Sequence, residues 1–175
     1  YGYLDITLSD NEYAPGPETD LLLHFNSRGF GDESGYYKIT ERNASVTQNQ
    51  AKFGAGSGAL NGQNRGFMLI PSNSALFSPG RMLTDFTIEF WLYSPTLQTG
   101  ETIFAWSGAR TESGAQNETD IITQSVRCEV ENRRLNWVFS NIFRPADGSR
   151  ITIGVTSKKR LIPRKWHHHL LRFKS

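Results

Sequence analysis

The stretch "DFTIEFWLYS", residues 85–94, indicates the fold most clearly. Side chains at alternate positions of an extended strand point to opposite faces. One face of this segment is wholly apolar: Phe86, Ile88, Phe90 and Leu92. The other face mixes acidic, hydroxyl and aromatic groups: Asp85, Thr87, Glu89, Trp91 and Tyr93. We therefore predict a strand that packs on a second sheet through its apolar face and leaves its other face open to solvent.

Shorter segments along the chain repeat this pattern. Apolar runs of period two alternate with clusters of Gly, Pro, Asn and Ser, and helical periodicity is nearly absent. Such a pattern is typical of an all-β sandwich or barrel. Strands are predicted near residues 3–8, 20–25, 36–40, 44–48, 57–62, 66–70, 85–94, 102–107, 120–130, 134–140, 150–156 and 166–173.

Three connecting segments have sequences that predict their conformation. "NEYAPGPET", residues 11–19, is predicted to be a loop, because two prolines around a glycine do not fit a central strand. "VENRRL", residues 130–135, suits a tight hairpin turn between two long strands. "SNSALFSPG", residues 72–80, could form one short helical turn that Pro79 ends.

The composition is that of a folded globular protein. A chain of 175 residues, 37% hydrophobic and 21% charged, can bury a core within one large domain. Its apolar runs are all shorter than the roughly 20 residues that a membrane-spanning helix needs. The single cysteine, Cys128, rules out an internal disulfide. Because Cys128 alternates with Val126 and Val130, we predict that it is a small buried residue of a strand.

The net charge of +2 hides an uneven distribution of charged residues. Residues 1–42 hold eight acids and three bases, a net of −5, whereas residues 141–175 hold nine bases and one acid, a net of +8. The basic residues are densest at Lys158, Lys159, Arg160, Arg164 and Lys165. They form either a solvated loop or a contact for an anionic glycan, a phosphate-rich surface or an acidic partner. Nucleic acid is not predicted, because no recognition motif accompanies these bases.

Four stretches carry a resemblance to a known fold. They are "LLLHFNSRGFGDESG" (21–35), "AKFGAGSGALNGQNRGFMLIPSNSALF" (51–77), "DFTIEFWLYSPTLQTGETIFAWSG" (85–108) and "KWHHHLLRF" (165–173). In this order they resemble the concanavalin A-like jellyroll, in particular its laminin-G-like bacterial branch. The resemblance implies a two-sheet antiparallel jellyroll sandwich with very little helix over residues 20–175, after an N-terminal strand and linker at 1–19. It implies no single activity, because this fold carries lectins, hydrolases, adhesion modules and structural proteins.

The sequence departs from this family after its "WHH" strand, where relatives continue into a hairpin and several further strands. We therefore expect that the jellyroll is incomplete at Ser175, and that a longer polypeptide or a neighbouring chain covers the open edge. Uncovered apolar edges are an aggregation hazard that proteins normally avoid. The resemblance also implies an extracytoplasmic location.

A glycoside hydrolase of the laminarinase type would need two carboxyl groups about 5–9.5 Å apart. Relatives of that type carry three acids at alternate or nearly alternate positions of one strand. Here Thr87 takes the middle place, and Asp85 and Glu89 lie roughly 13 Å apart along the strand. We therefore predict no catalytic residues.

The candidate ligand-binding residues are Asp85, Glu89, Trp91 and Tyr93, because flat aromatic rings beside polar groups suit sugars. Trp106 and Trp137 are predicted to lie in the core instead.

The "WHHHL" stretch, residues 166–170, is not predicted to bind a metal. His167 and His169 share one face of the strand and His168 lies on the other, so at most two of the three could chelate together. Calcium is suggested only by the resemblance, with oxygen ligands available in "GDES" (31–34) and "NETD" (117–120). No cofactor is predicted.

The sequence thus favours a non-catalytic extracytoplasmic module that binds a glycan or a protein within a larger surface or periplasmic assembly. A purely structural subunit that docks through its edge strands and basic end is the alternative, and a laminarinase-like hydrolase is the second alternative.

Overall fold

A computed structural model describes residues 12–26, 29–61, 66–69, 85–111, 121–144 and 146–174. Within these ranges the regular secondary structure is entirely β-strand, and every sheet is antiparallel. None of the described segments contains a helix long and apolar enough to cross a membrane. The chain divides into two compact units, Tyr1–Phe77 and Ser78–Ser175. The boundary expected between residues 19 and 20 stays a prediction.

The first unit contains four short strands: β1 (Thr40–Arg42), β2 (Ala44–Thr47), β3 (Ser57–Leu60) and β4 (Phe67–Leu69). Strand β1 pairs with β4, and β2 pairs with β3. The strands predicted near 44–48, 57–62 and 66–70 are confirmed, and residues 12–19 form the predicted loop. The strand predicted at 3–8 and the helical turn predicted at 72–80 lie outside the described residues.

Two strand predictions in this unit are wrong, and Asp32 explains both. Residues 20–25 form no strand, and of residues 36–40 only Thr40 belongs to β1. The Asp32 carboxylate accepts hydrogen bonds from backbone N–H groups on both sides of it in the sequence: those of Leu22 (3.0 Å), Ser34 (3.0 Å), Tyr36 (3.1 Å) and Tyr37 (3.0 Å). Because a side chain takes donors that a sheet ladder would use, the segment folds as a loop.

The second unit contains six strands: β5 (Phe86–Tyr93), β6 (Thr102–Thr111), β7 (Ile121–Glu131), β8 (Arg134–Phe143), β9 (Arg150–Thr156) and β10 (Trp166–Phe173). Strands β6 to β9 form a four-stranded meander in sequence order, and β5 pairs with β10. All six strands were predicted. The hairpin predicted at 130–135 is also confirmed, since Asn132 and Arg133 have φ angles of 48° and 60°, as a two-residue type I′ turn requires.

The core of the second unit lies between these two sheets. Its buried residues are Leu97, Val126, Cys128, Val130, Leu135, Trp137, Phe139, Ile142 and Leu161. The predicted apolar face of β5 packs against this cluster, as do Trp106 and Leu171. The structure therefore confirms an all-β, sandwich-like architecture. It also confirms Cys128 as a small buried residue, with 0% exposure, and Trp137 as a core residue.

Candidate ligand-binding face

The register of β5 against β10 decides which side chains meet on the outer side of this sheet. Phe86, Ile88, Phe90 and Leu92 pack inward, so the alternate residues of β5 face outward. Opposite them on β10, Trp166 lies across from Tyr93, His168 from Trp91, Leu170 from Glu89 and Arg172 from Thr87. We call this surface the outer face. It brings three of the four predicted ligand-binding residues beside four residues of β10 that were not predicted to bind a ligand: Trp166, His168, Leu170 and Arg172.

Two cross-strand ring pairs lie side by side on the outer face. Trp91 and His168 stack with their ring centroids 4.9 Å apart and their planes at 28°. Tyr93 and Trp166 are 5.4 Å apart with their planes at 50°. All four residues are half-buried, and we call them the aromatic strip. Residues two apart along a strand are separated by roughly 6.6 Å, so the two ring pairs occupy adjacent outward positions of the sheet.

A carboxylate is fixed beside this strip. Nε2 of His168 lies 2.6 Å from Oε1 of Glu89, and the two side chains keep 23% and 28% of their accessible surface. The contact runs diagonally between the strands, because His168 lies opposite Trp91 rather than opposite Glu89. A ring N–H that donates to a carboxylate makes one of the stronger hydrogen bonds in proteins. The contact therefore holds the His168 ring in place against Trp91.

The remaining predicted residue of this face, Asp85, is exposed and precedes β5 by one position. The residues that face Glu89 and Thr87 across the sheet are Leu170 and Arg172. Within the described parts of β5 and β10, no second carboxylate therefore lies next to Glu89. The outer face offers stacking and hydrogen bonding rather than the pair of acids that glycoside hydrolysis requires.

His167 and His169 share one face of β10, as predicted, and the register with Leu92 and Phe90 shows that this is the inner face. Nε2 of His167 lies 2.9 Å from the backbone nitrogen and 3.0 Å from the carbonyl oxygen of Ile162, so its tautomer decides which of the two it bonds. His169 packs on Phe90 at 5.4 Å, and its buried Nε2 has no hydrogen-bond partner in the described structure. The pKa of His169 is lowered to about 4, mainly by burial and to a smaller extent by the charges of His167 and His168.

No set of three or more His, Cys, Asp or Glu side chains in the described ranges could hold a metal ion. In the "GDES" stretch, both oxygens of Asp32 already accept hydrogen bonds from within the chain. Partial burial raises the pKa of Asp32, but hydrogen bonds from Leu22, Ser34 and Tyr37 outweigh it and keep the pKa below its usual value. The "NETD" stretch lies outside the described residues.

The predicted basic residues lie on one connection, residues 157–165 between β9 and β10, which we call the basic loop. Lys158, Lys159, Arg160, Arg164 and Lys165 are all exposed. The loop backbone is nevertheless fixed at several points. The Leu161 N–H donates to the Arg133 carbonyl at 2.7 Å, and the Arg164 N–H donates to the Ser94 carbonyl at 2.9 Å.

Comparisons of the chain with models of known protein families, with curated proteins and with solved structures find no match. The resemblance to the laminin-G-like jellyroll therefore stays a prediction.

Proposed function

We propose that this protein is a non-catalytic binding module that takes a glycan on its outer face. The observation that carries the proposal is the aromatic strip, with the stacked pair of Trp91 and His168 beside that of Tyr93 and Trp166. Aromatic rings present a flat apolar surface with a polar edge, and this suits a sugar ring, which has apolar faces and a rim of hydroxyl groups.

The polar groups of the outer face would orient a sugar that stacks on its aromatic rings. Ligand sites typically combine a mainly apolar surface with a few fixed polar groups. Here Glu89 and His168 are held by their mutual hydrogen bond next to the rings, within reach of a hydroxyl group of a stacked sugar. Leu170, 56% exposed, extends the apolar surface beyond the ring pairs. Exposed apolar groups that adjoin one another are more typical of binding surfaces than of inert ones.

The shape of this surface favours an extended ligand. The outer face belongs to a sheet of two long antiparallel strands, with the ring pairs at consecutive outward positions. Neighbouring units of a polysaccharide could therefore occupy neighbouring stacking positions. A jellyroll topology, an extracytoplasmic location and membership of a larger surface assembly are part of the same proposal, and the resemblance described above supports them.

A glycan array followed by isothermal titration calorimetry tests this function. Trp91→Ala and Trp166→Ala should each weaken binding of the strongest array ligand about tenfold or more, because loss of an aromatic anchor typically costs about 2 kcal/mol. Tyr36→Ala is the matched control, since Tyr36 is an aromatic residue of the first unit with 60% exposure. Array binding that survives both tryptophan changes, or that Tyr36→Ala abolishes equally, would contradict the proposal.

A further inference from the structure

We propose that the basic loop docks the protein on the surface of an anionic lipid bilayer, with Ile162 inserting between the headgroups. The loop combines two features that suit a membrane surface: a cluster of exposed cations and an exposed aliphatic side chain among them in the sequence. Ile162 is 47% exposed, although the residue before it, Leu161, is 2% exposed and belongs to the core.

The sequence around Ile162 places bases on both sides of it. Lys158, Lys159 and Arg160 precede the Leu161–Ile162 pair, and Arg164 and Lys165 follow it, all five exposed. No acidic residue occurs between positions 148 and 175, so the loop contains no internal counter-charge. Clusters of four to eight bases bind anionic membrane surfaces, where each base near the surface strengthens binding.

The loop presents Ile162 on a fixed backbone. On one side Leu161 is anchored in the core, and its N–H donates to the Arg133 carbonyl at 2.7 Å. At Ile162 itself, Nε2 of His167 lies within 3.0 Å of both the backbone nitrogen and the carbonyl oxygen. Beyond it, the Arg164 N–H donates to the Ser94 carbonyl at 2.9 Å. A loop that is already ordered loses little conformational entropy on docking.

The start of the loop is held in the same way. The Arg134 guanidinium donates to the Ser157 carbonyl at 2.8 Å and also to the Lys158 carbonyl. Arg134 therefore supports the backbone and leaves the side chains of Lys158 and Lys159 exposed.

The exposed isoleucine distinguishes a membrane from other anionic partners. A soluble polyanion would engage the bases and gain nothing from Ile162, whereas a bilayer offers both charge and an apolar layer just below its headgroups. The anionic bilayer is therefore the partner that accounts for all parts of the loop.

Co-sedimentation with vesicles that contain no sugar tests this docking. Vesicles of phosphatidylcholine with one-third phosphatidylglycerol should bind the protein, and vesicles of phosphatidylcholine alone should not. The variant Lys158→Gln/Lys159→Gln should weaken partitioning roughly 25-fold, since each base contributes about fivefold. Lys38→Gln/Lys174→Gln removes the same charge from exposed positions elsewhere and should have a much smaller effect.

A second pair of variants tests the contribution of the Ile162 side chain to membrane binding. Ile162→Ser should weaken binding to the anionic vesicles about tenfold, whereas Val155→Ser, at a position of 45% exposure on β9, should leave it unchanged. Equal binding to neutral vesicles, or no binding to anionic ones, would overturn the proposal. So would full binding by Ile162→Ser, because the loop would then recognise charge alone. Circular dichroism of each variant checks that the fold is intact.

Discussion

Nε2 of His168 lies 2.6 Å from Oε1 of Glu89, a residue 79 positions earlier in the chain. The same imidazole stacks on Trp91 at 4.9 Å. The His168 ring of β10 thus contacts two residues of the neighbouring strand β5, the Glu89 carboxylate and the Trp91 indole. Contacts within the protein therefore hold this part of the outer face in place, and this order would reduce the entropy cost of the glycan binding that we propose.

The first prediction concerns this contact. In a double-mutant cycle with Glu89→Gln and His168→Gln, the free energies of unfolding should show a coupling of roughly 0.5–1 kcal/mol, as for a partly screened pair. Urea denaturation at pH 7 measures it. The pair of Arg127 and Glu129 is the control, because the Arg127 side chain is 54% exposed and its coupling should be smaller. Additive effects at Glu89 and His168 would show that their contact contributes nothing.

A second prediction follows from His169. Its pKa is about 4 in the folded protein and roughly 6.5 in an unfolded chain. Between these values the unfolded chain binds a proton that the folded protein does not, so the free energy of unfolding should fall as the pH drops from about 6.5 to about 4. Above pH 6.5 this contribution to stability is complete.

His169→Leu should remove this part of the pH dependence. At pH 7 the variant should be at least as stable as the wild type, since it replaces a buried ring nitrogen that has no described hydrogen-bond partner. Urea denaturation at a series of pH values between 4 and 7 measures both effects. An unchanged slope in the variant would contradict the assignment.

The sequence predicted correctly which face of a strand each side chain occupies, but it did not predict which strands pair with each other. Alternation along residues 85–94 was sufficient to place Phe86 and Phe90 inward, because the pleat of a strand repeats every two residues. The alternation does not predict which strand, distant in sequence, pairs with β5. Trp166 and His168 were therefore not predicted to be ligand-binding residues, although they lie two positions apart on the same face of β10.

The strand predicted at residues 20–25 is wrong for a different reason. Their apolar composition is that of a strand, but the Asp32 carboxylate accepts the Leu22 N–H, and the Leu22 carbonyl accepts the Glu33 N–H at 2.9 Å. A short polar side chain that competes with the backbone in this way is not visible in hydrophobic periodicity.

The third prediction concerns Asp32. Asp32→Ala should lower the stability of the first unit by about 1–3 kcal/mol, because it leaves several backbone N–H groups without their acceptor. Since the folded pKa of Asp32 is depressed, its contribution should be complete above about pH 4 and should be lost as the pH falls through the folded pKa. Amide hydrogen exchange at Tyr36 and Tyr37 measures the effect locally. Glu18→Ala, at an exposed loop position, is the control and should leave that exchange unchanged.

The fourth prediction concerns the hairpin between β7 and β8. Arg133 has a φ of 60°, a conformation that costs an ordinary residue about 1 kcal/mol and glycine almost nothing. Arg133→Gly should therefore raise the free energy of unfolding by about 1 kcal/mol. The neighbouring change Arg134→Gly should lower it instead, because the Arg134 side chain bonds the Ser157 carbonyl. Thermal or urea denaturation that shows a loss of stability in Arg133→Gly would contradict the strain argument.

The most direct test of the central claim is the affinity of the outer face for the strongest glycan-array ligand, measured by calorimetry in the wild type and in Trp91→Ala. The account predicts a loss of about tenfold or more in Trp91→Ala, with Tyr36→Ala binding as tightly as the wild type. Equal affinities in the wild type and in Trp91→Ala would contradict it.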